Sequence, residues 1–245
     1  MSGHSKWSTI KHKKGAADAK RGKIFTKIGK EIMVAVKQGG AAEESNAALR
    51  AAIIKARAAN MPKDNIDRAI KKASGENDGV VYTPLTYEGY IPGGIALIIE
   101  TLTDNKNRTA ADVRSTLTKN GGSLGTAGSS SYLFQRKGII SIQTDEFDKV
   151  FEVAGDAGAE DVIEDDGYVE VITDPADFEA VNTALTQAGF VAEEAEVKQE
   201  PITRVTPDAE GTAKALKLIE KLEDLDDVQA VFSNLEIPDD YEGEV

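Results

Sequence analysis

The spacing of apolar residues changes at the GENDG stretch of 75–79, from all-helical before it to mixed strand and helix after it, and that change divides what the chain can fold into. Before it the period is helical. At about 100° per residue, Ile24, Ile28, Ile32, Ala35 and Val36 share one arc, and Lys20, Lys23, Lys27, Lys30 and Lys37 gather on the opposite one. Gly39-Gly40 closes this first helix. A second is expected from about Glu43 to the boundary that Pro62 imposes, with Leu49, Ile53 and Ala56 inward. A third follows, with Pro62 and Asp64 in its first turn, Lys71 and Lys72 in its last, and Ile66 and Ile70 inward.

After the switch, strand signals dominate. EGYIPGGIALIIETL is a hairpin around Pro92-Gly93-Gly94, NRTAADVRSTLTKNGG is a helix closed by Gly, and SSSYLFQRKG leads into a strand. GIISIQ through FVAEEAEVKQ then reads as strand, helix, strand, strand, helix, strand, the split βαβ order of a ferredoxin-like unit. The tail adds a helix (PDAEGTAKALKLIEKLEDLDD) and a strand (VQAVFSNLEI) that could not bury their apolar faces alone. The expected fold class is α+β, with an N-terminal three-helix domain followed by two α+β domains, the third ferredoxin-like and inserted in the second. The expected bounds are 1–78 for the basic arm and helical domain, 79–137 plus 205–245 for the middle domain, and 138–204 for the acidic domain. A tail packed on the inserted unit would leave a similar pattern.

Charge follows the same partition. Residues 1–75 carry 17 Lys and Arg against 6 acids, 76–137 carry six of each sign, and 138–245 carry 6 bases against 30 acids, within a net charge of -13. Such asymmetry points to polyanions at the front and to water or basic surfaces at the back, unless the two ends neutralise each other within the molecule. The first 20 or so residues lack hydrophobic periodicity and read as a flexible basic arm. Joined to the cationic face of the first helix, this arm can displace condensed counterions from nucleic acid. The candidate nucleic-acid-binding residues are Lys6, Trp7, Lys11, His12, Lys13, Lys14, Lys20, Arg21, Lys23, Lys27 and Lys30. Trp7 either stacks on an exposed base or pins the arm to the helices.

Other chemistry finds little footing. Cysteine is absent, which removes disulfides and thiolate sites, and the two histidines, His4 and His12, have no carboxylate cluster beside them to complete a metal sphere. GGSLGTAGSSSY is Gly-rich, but it lacks the GK[ST] ending of a P-loop and enters a strand rather than a helix. No GxSxG, HExxH or GxGxxG motif is present, and no stretch reaches the roughly 18 apolar residues of a membrane span. The reading is a binder rather than an enzyme, with no cofactor and no metal, held in the cytoplasm because no apolar segment follows the basic start.

The segments GHSKWSTIKHKKGAADAKRGKIFTKIGKEI, NMPKDNIDRAIKKASG, YEGYIPGG, TDNKNRTAADVR and GGSLGTAGSSSYLFQRKG, in that order, closely resemble the YebC/PmpR family. The resemblance implies a helical domain and two α+β domains, no cofactor, and a cytoplasmic regulator of gene expression. Its implied action is either DNA-binding transcription regulation or, as a ribosome-associated translation factor, RNA binding that relieves stalling at proline-rich sequences. Basic proteins are a further expected partner, through the acidic domain.

Overall fold

The computed structural model describes residues 18–75, 80–165, 167–238 and Tyr241. Helix α1 (Asp18–Gly39) packs against both α2 (Ala47–Ala58) and α3 (Lys63–Ser74). Ile28, Ile32, Val36, Leu49, Ile53 and Ile66 form their shared core, as the helical periodicity requires. Helix α2 starts later than expected because Asn46 caps it, its Oδ1 accepting from Leu49 N–H at 3.0 Å. The same buried amide donates to Ala35 O and Gly40 O, and it lies so close to Gly39 that no Cβ would fit there.

Strands β1 (Thr83–Ile91) and β2 (Ile95–Thr103) form the expected hairpin, with Gly93 and Gly94 at positive φ in its turn. Helix α4 (Lys106–Lys119) follows, capped by Asn105. A short edge strand β3 (Ser123–Leu124), invisible in the periodicity, pairs with Gly89 and Tyr90. That pairing depends on missing side chains, since a Cβ on Gly122 would meet Tyr90 O at 2.9 Å.

Helix α7 (Ala209–Glu223) and strand β8 (Val228–Ser233) return to this unit, β8 pairing with β2 in the sheet order β3-β1-β2-β8. Ile95, Leu97 and Ile99 of β2 meet Val113, Leu117, Leu216 and Ile219 of the two helices. Ala96 and Ile98 line the opposite face with Phe134 and Phe232, so β2 is buried on both sides and reads as one continuous apolar run.

Between these halves lies the second sheet, in the order β5-β6-β4-β7, all antiparallel. Its elements are β4 (Phe134–Gln143), α5 (Phe147–Asp156), β5 (Asp161–Asp165), β6 (Tyr168–Thr173), α6 (Phe178–Gln187) and β7 (Glu194–Pro201). The order and the βαββαβ sequence are those of a ferredoxin-like unit. The boundary expected at 137/138 falls inside β4, which begins at Phe134 and pairs with β7 from there. Gly138 is a mid-strand glycine pressed against Thr173 and Phe178, where a Cβ has no room.

Candidate functional site

Three lysines of the cationic face of α1 grip the C-terminal end of α7, Lys23 remaining exposed, Lys27 half-buried and Lys30 buried. Lys23 Nζ donates to Asp224 Oδ1 at 3.1 Å and to Asp224 O at 3.3 Å, and Lys27 Nζ to Glu223 O at 2.5 Å. Lys30 Nζ donates to Asp226 O at 2.8 Å and Asp227 Oδ1 at 2.9 Å. Spacing of four and three residues along α1 places the three ammonium groups in a row. Helix α7 ends at Glu223 and is followed by Asp224, Asp226 and Asp227, acids at the negative pole of its dipole, and the row of lysines offsets that conflict.

Asp227 is the buried centre of this junction. Besides Lys30 it accepts from Arg108 Nη2 at 2.7 Å, Thr109 Oγ1 at 2.8 Å, Thr103 Oγ1 at 3.2 Å and Arg108 Nε at 3.3 Å. Burial alone would push its carboxyl up, but the Lys30, Arg108 and Thr109 donors outweigh that and hold it at about 2. Arg108 also reaches Asp104 Oδ1 at 2.7 Å. The TDNKNRT stretch thus supplies Thr103, Asp104, the Asn105 cap, Arg108 and Thr109 to one network that binds the helical unit to the middle one.

The placement of the sequence-derived candidates follows from this. Lys6, Trp7, Lys11, His12, Lys13 and Lys14 lie outside the described residues, as does the side chain of Lys20. Arg21 is on the exposed side of α1. Lys23 and Lys27 direct their ammonium groups to α7, and Lys30, 9% exposed, is buried against Asp227 and sits 5.5 Å from the centre of the Tyr82 ring. The ammonium group of Lys30, expected to contact phosphate, is paired with Asp227 within the fold. Periodicity identified the cationic face and could not tell a polyanion from a helix C-terminus as its occupant. The signal that was available is the acidic run placed, against dipole preference, at the end of α7.

The Gly-rich 125–131 loop does cradle an anion, and the anion is internal. Glu88 on β1 accepts from the backbone N–H of Gly128 at 2.6 Å, of Ser130 at 2.6 Å and of Ser131 at 2.9 Å, and from Ser130 Oγ at 3.1 Å. Burial opposes the charge, yet these donors keep the carboxyl below the usual carboxylate range. Among the described residues no group of three or more His, Cys, Asp or Glu side chains is arranged to hold a metal, and no helix is long and apolar enough to cross a membrane.

Comparison with known proteins accords with this architecture. Residues 5–76 match the model of the TACO1/YebC protein N-terminal domain, and residues 82–235 match the TACO1/YebC second and third domain. A Treponema denticola protein named a probable transcriptional regulatory protein is 57% identical over 244 residues, covering 99% of each chain. One from Geobacter sulfurreducens with the same designation is 55% identical, covering 97% of this chain and 96% of its own. The crystal structure of a conserved hypothetical protein from Aquifex aeolicus superposes with a TM-score of 0.86 at 44% identity, covering 96% of this chain and 98% of that one.

Proposed function

Because the chain belongs to the TACO1/YebC family, whose relatives here are named as transcriptional regulators, we propose that it is a nucleic-acid-binding regulator of gene expression that acts on DNA in the cytoplasm. The observation that carries the reading is the basic block of the sequence, nine Lys or Arg among the first thirty residues against one acid, Asp18. With Lys30 enclosed, the phosphate contacts fall to Lys6, Lys11, His12, Lys13 and Lys14, supported by Lys20 and Arg21, and Trp7 offers an aromatic face. We assign this task to 1–78, the rigid mounting to 79–137 with 205–245, and contact with basic proteins to the acidic 138–204. No catalytic step, cofactor or metal is part of the proposal.

A second reading, RNA binding on the ribosome in support of translation, is favoured by one observation. Lys23, Lys27 and Lys30 on the cationic face of α1 bond to the end of α7, which reduces the charge that face offers a DNA groove, and phosphate contacts that precede it position a protein without reading bases. The two readings separate in one experiment. The protein is titrated against promoter duplexes with excess random competitor and, in parallel, sedimented with ribosomes at physiological salt. Duplex binding that survives competitor supports the transcriptional reading. Its loss, with co-sedimentation retained, transfers the function to RNA.

A further inference from the structure

The 125–131 loop spends three backbone donors on Glu88, and the side chain it thereby fixes in place is the next one along. Tyr132 lies on a single 3-10 turn, Ser131–Leu133, and is 68% exposed. The backbone on both sides of it is tied. Gly128, Ser130 and Ser131 N–H bond to Glu88, Leu133 N–H to Ser130 O at 2.9 Å, and Ile202 N–H to Leu133 O at 2.8 Å. Tyr90 Oη anchors the loop further by donating to Ser129 O, and Ser130 Oγ reaches Leu97 O at 3.1 Å. An aromatic ring held out to solvent by a backbone tied on both sides loses little entropy when something stacks on it.

The surroundings select the partner. From Asn120 to Lys137 the chain carries Arg136 and Lys137 and no acid. Two carboxylates approach, Glu88, enclosed by N–H groups, and Glu200, opposite Gln135 on β7 and bonded to Arg204; both are buried. Exposed neighbours along the chain are Ser131, Gln135 and Arg136, and Ile202, 57% exposed, extends the apolar surface beside Leu133. Hydroxyl, amide and guanidinium groups around a ring that none of the described residues stacks on suit an anionic polymer that offers π faces, and a duplex keeps its π faces stacked inside. We propose that Tyr132 is a stacking platform for an unpaired base of single-stranded nucleic acid, an inference that rests on the nucleic-acid reading above and adds a second contact point on the middle unit.

The test uses the full chain and fluorescence anisotropy of an end-labelled single-stranded oligonucleotide and of the corresponding duplex. Tyr132→Ala should weaken single-strand binding about tenfold, leave duplex binding within about twofold and leave the salt dependence unchanged; Tyr132→Phe should bind like the wild type. Wild-type-like single-strand binding by Tyr132→Ala, or an equal loss on both probes, overturns this proposal alone. A wild-type protein that binds neither probe overturns it together with the nucleic-acid reading.

Discussion

Two buried carboxylates, Asp227 at the α1–α7 junction and Glu200 on β7, meet opposite fates. Both are largely enclosed. Asp227 sits among Lys30, Arg108, Thr103 and Thr109 and is held at about 2. Glu200 is pushed to about 7, first by burial, which the Arg204 guanidinium pulls against, and then by the negative charge of Glu170. Burial penalises both; the supply of donors and the sign of the neighbours decide which stays ionised. Asp227 therefore works as a permanent ionic rivet between two units, whereas Glu200 makes the acidic unit's sheet responsive near neutral pH.

Breaking the rivet should produce the larger effect. Asp227→Asn leaves Lys30 and Arg108 facing a neutral amide and should cost about 3 kcal/mol in urea unfolding at pH 7. The folded value of Asp227 lies below its ordinary 3.8, so its contribution is complete above that pH and is lost as pH falls through about 2. The gap between wild type and variant should close over that acid window; a variant as stable as the wild type at pH 7 would show that the network does not hold the units together. Glu200 carries the opposite sign. Its folded value lies above the ordinary 4.5, so its contribution is most favourable below 4.5 and is lost as pH rises through about 7. Glu200→Gln should match the wild type near pH 4 and exceed it by on the order of 1 kcal/mol at pH 8. A variant less stable than the wild type at pH 8 would mean that the Arg204 ion pair outweighs burial.

Much of the architecture was readable before any coordinates. The helical arc of Ile28, Ile32 and Val36, the Pro92-Gly93-Gly94 turn and the inability of the tail to bury itself each correspond to a feature of the fold. These are local or compositional signals. What escaped is long-range. Asp227 lies 197 positions from Lys30 and 119 from Arg108, and no local period links them. Glu88 reads as one more polar residue of β1 until the 128–131 loop folds over it. The start of β4 at Phe134, ahead of the expected 137/138 bound, is set by its pairing with β7, a partner more than fifty residues away in sequence.

The salt dependence of binding gives the most direct functional test. The central claim is that phosphate is gripped by the basic residues ahead of α1 and not by the lysines that α1 commits to α7. Binding of a nucleic-acid probe is measured from 50 to 200 mM salt for wild type, Lys13→Glu with Lys14→Glu, and Lys30→Gln. The account predicts that the first variant weakens binding and lowers the slope of log affinity against log salt by roughly 2, while Lys30→Gln keeps the wild-type slope. A slope unchanged in the Lys13 and Lys14 variant but reduced in Lys30→Gln would contradict it.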